Sequence, residues 1–228
     1  MIDRQLRGVT ERIHEACKRA GRDPKEVELV LVTKEVDPGR IKLAYDLGIR
    51  DFGENRTQDL MAKQGELPKG IRWHFIGSLQ TNKVKSLIGQ VALIHSCDRI
   101  DLAREIEKQA AKQGQTADIL VQVNTSGEET KHGFSPSDVQ QAVSEITAFD
   151  HLRLRGLMTI GPNTQNQVKI RESFRALSNL KDQLRQKFKN CDWRYLSMGM
   201  SSDFELAIEE GANLLRIGSA VFGPRPEK

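Results

Sequence analysis

Cysteine is scarce in this chain. The 228 residues contain only Cys17, Cys97 and Cys191, an odd number with no CxxC spacing, which argues against a disulfide framework and against a zinc site. Aromatic residues make up 5% of the sequence, and no arginine or lysine block is interleaved with them, so the stacking-plus-phosphate pattern of a nucleic-acid binder is missing. Charge of one sign is in little excess: 35 Lys and Arg stand against 31 Asp and Glu, a formal charge of +4. A small anionic ligand explains that surplus as well as a polyanion does. No apolar run approaches the length of a membrane span, and the opening Met1-Ile-Asp-Arg-Gln-Leu-Arg lacks the apolar core of a signal peptide. Linkers and low-complexity stretches are also lacking, so a single domain over residues 1–228 is expected. The expected setting is the cytoplasm, without a membrane or nucleic-acid partner, and with no exposed apolar patch to suggest more than a monomer.

What the chain does have is alternation. The run Val27-Glu-Leu-Val-Leu-Val-Thr-Lys34 reads as a strand, with Val30, Val32 and Lys34 on one face and Leu29, Leu31 and Thr33 on the other. Apolar residues on both faces indicate a strand covered on both sides, as in a parallel sheet or barrel. Ahead of it, Leu6, Val9, Ile13, Ala16, Cys17 and Ala20 recur at helical spacing, and Gly21 and Pro24 end that helix. Asp37-Pro38 caps the next helix, which buries Ile41, Ala44 and Leu47. Further strands are predicted at 49–54, 71–76, 91–95, 119–123, 152–158, 193–198 and 214–217. Helices intervene, among them one capped by Asp98, one beginning at Ser135-Pro136 with Asp138, and one opened by a Ser202/Glu205 capping box. Eight strand-then-helix units after an extra N-terminal helix describe an α/β fold, a single (β/α)8 TIM barrel. A doubly wound open sheet is the competing topology.

In a barrel the chemistry sits at the C-terminal ends of the strands. This sequence puts Lys34, Glu54-Asn55, His74 with Gly77, Asn124, Met158, Ser197 to Ser201, and Arg216 with Gly218-Ser219 there. That set contains no carboxylate pair, no His/Cys metal cluster and no Ser-His-Asp arrangement. Ser197-Met-Gly-Met-Ser-Ser202 and Ile217-Gly-Ser-Ala220 each run into a helix start, at the two strands where barrels frequently hold phosphate. A lone lysine at a strand end more commonly buries its stem and wets its head. Opposite a phosphate site, Lys34 becomes a candidate Schiff-base residue. Two ligand classes satisfy this pattern: pyridoxal 5′-phosphate, or a sugar phosphate in an aldolase. Arg216 admits two roles as well. It can face a pyridine nitrogen, which it would leave unprotonated, or serve as a phosphate counter-ion or barrel-end ion pair.

Several stretches resemble a known family: Val32-Thr-Lys34, Phe52-Gly-Glu-Asn55 with Gln58, Trp73-His-Phe-Ile-Gly77 with Leu79-Gln80 and Asn82-Lys83, Arg155-Gly-Leu-Met158, Ser197-Met-Gly-Met-Ser201 with Asp203, and Arg216-Ile-Gly218 with Phe222-Gly223. Together, and in order along nearly the whole chain, they resemble the pyridoxal phosphate homeostasis proteins (the YggS/PROSC family). The resemblance implies a barrel similar to the N-terminal domain of alanine racemase. It implies pyridoxal 5′-phosphate held in Schiff-base linkage to Lys34, phosphate contacts from Ser201, Gly218 and Ser219, and Arg216 near the ring or phosphate. Asn55, His74 and Met158 match positions lining the cofactor pocket. It implies a role in vitamin B6 and amino-acid homeostasis without robust catalysis, with apo-enzymes that use the cofactor as candidate recipients. The competing reading is a fold-type III enzyme such as an amino-acid racemase. Against it, only Tyr45 and Tyr195 could serve as the tyrosine acid/base such racemases use, and both read as packing residues.

Overall fold

The computed structural model describes residues 2–128 and 130–224. Its first strand, β1 (Glu28–Val32), carries the β-branched and leucine run that favours a pleated, two-sided environment. It pairs in parallel with β2 (Asp51–Glu54) on one side and with β8 (Leu214–Ile217) on the other. The remaining strands are β3 (Arg72–Phe75), β4 (Leu93–Cys97), β5 (Ala117–Gln122), β6 (Leu152–Met158) and β7 (Tyr195–Ser197). They follow in chain order and close the barrel, so the open-sheet alternative does not apply. Between them lie α2 (Pro38–Asp46), α3 (Thr57–Glu66), a 3-10 turn at Thr81–Ser86, α4 (Ile100–Lys112), α5 (Val139–Ile146), α6 (Gln167–Lys187) and α7 (Phe204–Glu209). The short α8 (Ser219–Phe222) is the last described element, and α1 (Ile2–Arg19) precedes the barrel.

The strand period of two divides the core. Leu31, Phe52, Phe75, Ile94, Val121, Leu157, Leu196 and Ile217 face outward into the layer under the helices. Val30, Leu93, Leu120, Met158 and Leu214 face inward as a separate cluster that fills the barrel. The same interior holds buried polar residues, among them His74, His95, Ser197 and Arg216. Gly53 faces inward too: a β-carbon there would lie 3.0 Å from the Val30 side chain and 3.1 Å from Ile76. The outer wall is completed by α1, whose Leu6, Val9, Ile13, Ala16 and Cys17 form one buried stripe. Arg12 and Arg19 tie it to Glu205 and Glu209 of α7.

Several local expectations change. Leu47, expected in the buried stripe of α2, forms its C-terminal cap and is exposed. β1 stops at Val32, so Lys34 lies in the turn beyond the strand. Asp98 does not cap α4; its carboxylate pairs with the Arg99 side chain at 2.6 Å. Ser202 does not open α7; Asp203 occupies the cap position and accepts from the Met200 backbone N–H at 2.6 Å.

Candidate functional site

Lys34 is placed by its neighbours. The buried Thr33 donates its backbone N–H to Gly53 O at 2.9 Å, and its hydroxyl donates to Glu54 Oε1 at 2.7 Å. Its carbonyl accepts from Val36 N at 2.9 Å and from Lys63 Nζ at 2.7 Å. Lys63 also pairs with the fully buried Glu54, so an ion pair of α3 and β2 sits directly behind the turn. Within that turn Glu35 takes a left-handed conformation (φ 60°), the one non-glycine residue among those described that does so. Such strain persists where surrounding bonds over-determine the backbone. Asp37 then caps α2, accepting from Gly39 N at 2.8 Å.

Lys34 lines a cavity of about 330 Å³ together with Ser201, Arg216, Gly218 and Ser219, closed on its apolar sides by Val32, Val36, Met200 and Phe222. Five of the residues expected at the site therefore meet in one place. The Ser201 hydroxyl accepts from Gly218 N (3.3 Å) and Ala220 N (3.2 Å), which fixes the β7–α7 segment against the β8–α8 turn. A β-carbon on Gly218 would lie 3.3 Å from Val32 Cβ and from Val32 O, so glycine permits the close approach of that turn to β1.

Arg216 is the electrostatic centre of this cavity. Its guanidinium donates to Ser197 Oγ at 2.7 Å and to Thr159 O at 2.8 Å, both neutral acceptors. Among the described residues no carboxylate lies within ion-pair distance of it. Burial pushes its pKa down to about 10, partly offset by the field of Asp203. Burial also raises Asp203, against the Met200 N–H and Arg216, which lower it. A buried cation without a counter-ion is costly unless an anion completes the site. With Lys34, the hydroxyls of Ser201 and Ser219, and an apolar wall, the residues fit a phosphorylated aldehyde. They fit no metal, since no cluster of metal-ligating side chains occurs among the described residues.

The other three expected residues do not line this cavity. Asn55 lines a second one, of about 430 Å³, with Thr57, Gln58, Phe75, Ser78 and Lys83, and its buried Oδ1 has no hydrogen-bond partner. Met158 is fully buried in the inward-facing cluster. His74 is buried inside the barrel, bonded to Asp51 and His95. Nothing in the motifs marks Lys63, His95 or Thr159. Lys63 falls three residues after Leu60, on the buried side of α3. His95 falls two after Leu93, on the inward face of β4.

A model of the alanine racemase N-terminal domain matches residues 6–226. A pyridoxal phosphate homeostasis protein of Aquifex aeolicus is 45% identical over 222 residues, 97% of each chain. The structure of PipY from Synechococcus elongatus with PLP bound has a TM-score of 0.82 at 32% identity, covering 94% of this chain and 100% of that one. Alanine racemase of Clostridium difficile shares the fold, with a TM-score of 0.72 at 15% identity over 96% of this chain and 56% of its own. On the length and identity of these matches, the chain belongs to the pyridoxal phosphate homeostasis protein family, built on the alanine racemase N-terminal barrel.

Proposed function

We propose that this protein binds pyridoxal 5′-phosphate in the cavity between β1 and β8 and serves vitamin B6 and amino-acid homeostasis as a carrier. Lys34 is the point of attachment for the aldehyde. Ser201, Gly218 and Ser219 receive the phosphate, and Arg216 supplies the buried positive charge. The observation that carries this reading is the meeting in one cavity of Lys34 with a buried Arg216 that has no carboxylate at ion-pair distance. When bound, the cofactor supplies an electron sink for amino-acid chemistry. The residues around it contribute binding and orientation, and little proton transfer.

Turnover would need a positioned acid/base beyond Lys34. The residues lining the cavity include no histidine, tyrosine or carboxylate. Tyr195 points its hydroxyl to Glu28 at 3.4 Å, at the N-terminal end of the barrel. Tyr45 stacks beneath Arg50 on the helical shell, with the guanidinium 4.2 Å from its ring centroid. We therefore read the protein as non-catalytic. No described helix is long and apolar enough to cross a membrane. The carrier we propose is a monomer of the cytoplasm whose recipients are apo-enzymes.

Titration with pyridoxal 5′-phosphate tests this reading. The expected result is a visible absorption band that saturates at one cofactor per chain and is lost in Lys34→Ala, with no racemisation of L- or D-amino acids by the loaded protein. Lys34-dependent turnover would replace the carrier reading with an enzyme of the racemase type.

A further inference from the structure

A line of buried hydrogen bonds runs from Arg216 through the barrel interior. Arg216 donates to Ser197 Oγ at 2.7 Å. Ser197 Oγ meets His95 Nδ1 at 3.0 Å, His95 Nε2 meets His74 Nδ1 at 2.9 Å, and His74 Nε2 meets Asp51 Oδ1 at 3.0 Å. The two rings stand edge-on, with centroids 5.2 Å apart. Asp51 is also held by Arg72, whose Nε donates to the same Oδ1 at 2.8 Å and whose terminal nitrogen donates to Oδ2. Four strands, β2, β3, β4 and β7, thus connect the N-terminal end of the barrel to the guanidinium on β8.

For neutral imidazoles, the two ends fix the direction of every bond between them. A guanidinium only donates and a carboxylate only accepts. Asp51 therefore accepts a hydrogen bond from His74 Nε2–H, and a neutral His74 then accepts at Nδ1. His95 must then donate from Nε2 and accept at Nδ1, and Ser197 must donate to His95 while accepting from Arg216. With both rings neutral, the proton of each imidazole sits on Nε2. The opposite set would bring the bare His74 Nε2 against the carboxylate. Because Arg216 keeps its protons, the line does not conduct; it orients.

We propose that Ser197, His95, His74 and Asp51 are positioning residues that lock the Arg216 guanidinium into the cofactor cavity, with none of the two histidines or Asp51 touching the ligand. This rests on the reading of the cavity as a pyridoxal phosphate site. It gives His74 a function inside the barrel rather than at the cavity wall.

Nitrogen NMR of the histidine side chains in the cofactor-free protein tests the line by itself. His74 and His95 are expected as neutral Nε2–H tautomers at neutral pH; an Nδ1–H tautomer or a charged ring at either would overturn the proposal. Pyridoxal phosphate titration then tests its consequence. Ser197→Ala is expected to bind about tenfold more weakly or worse and to move the absorption maximum of the bound cofactor, whereas Ser197→Thr, which keeps the hydroxyl, restores both. A folded Ser197→Ala that matches wild type in affinity and absorption would overturn it. Should Ser197→Ala fail to fold, Asp51→Asn serves instead. It keeps an acceptor toward His74 but removes the charge, and it is expected to shift the nitrogen resonances of both histidines together with the bound absorption. Unchanged resonances and absorption would overturn the proposal. Failure of wild type to bind pyridoxal phosphate would sink the functional reading, while the tautomer result would still decide whether the line exists.

Discussion

The Lys63 ammonium donates to the carbonyl of Thr33 at 2.7 Å, one residue before the lysine that faces the cavity. Its other partner, Glu54, is completely buried and also accepts the Thr33 hydroxyl. The turn that presents Lys34 is thus built on an ion pair from the neighbouring α3 and β2.

Removing one partner of that pair leaves an uncompensated charge in the core. Lys63→Met is expected to destabilise the fold by about 3–5 kcal/mol, because Glu54 is stranded. A double variant, Glu54→Leu with Lys63→Met, should recover most of that loss in urea unfolding. Recovery of stability without recovery of pyridoxal phosphate affinity would show that the pair serves the turn more than the fold. Equal stability of the single variant and wild type would contradict the buried geometry.

His95 predicts an acid limb of stability. Burial holds its pKa well below the usual imidazole range, and the nearby His74 and Arg216 lower it further. The unfolded chain takes up a proton as pH falls below about 6.5, while the folded chain does not. Stability present above that pH is therefore lost below it, by about 1.4 kcal/mol per pH unit until the folded group itself titrates. Asp51 adds a second loss lower down. Burial raises its pKa, but the bonds from His74 and Arg72 outweigh that and bring it below the ordinary carboxylate value. Its contribution is present above the ordinary carboxylate pKa of about 3.9 and goes as pH falls through the folded value. Thermal unfolding of wild type and His95→Gln from about pH 8 to pH 5 checks the first limb; an identical slope in both would refute the assignment.

Arg216→Met is expected to weaken pyridoxal phosphate binding by about 10- to 100-fold, the worth of one to two charge-assisted hydrogen bonds. The cofactor-free protein should melt no lower than wild type, since a buried cation without a counter-ion is replaced by an apolar chain of similar length. A lower melting temperature with unchanged affinity would mean that Arg216 serves the barrel alone.

Gly156 gives a purely structural prediction. It pairs with Tyr195 across β6 and β7 at φ 142°, and a β-carbon there would lie 1.9 Å from the Tyr195 carbonyl oxygen. Backbone cannot rotate away as a side chain can. Gly156→Ala should cost at least about 3 kcal/mol and should be read by chemical denaturation.

The barrel was legible because its determinants are periodic. Leu152–Met158 and Leu214–Ile217 form strands with the bounds their apolar runs suggest, and Asp37-Pro38 caps α2 as its chemistry dictates. Lys34 with the Ser201, Arg216, Gly218 and Ser219 group was legible because motifs at the ends of the first, seventh and eighth strands converge once the barrel closes. What depends on contacts distant in sequence was not. β1 ends early because the Thr33 carbonyl turns to Val36 N and Lys63 Nζ, and no spacing near Thr33 announces Lys63. The Ser202/Glu205 pattern is matched by a stronger local acceptor, Asp203, which the sequence places one residue later. The tie between His95 and Ser197 spans 102 residues and exists only through closure.

Borohydride reduction followed by peptide mass spectrometry tests the central claim most directly. After incubation with pyridoxal 5′-phosphate and reduction, the account predicts one stable pyridoxyl-phosphate adduct per chain, located on Lys34 and abolished by Lys34→Ala. A reduced adduct spread over surface lysines, or concentrated on another lysine while Lys34 stays unmodified, would contradict it.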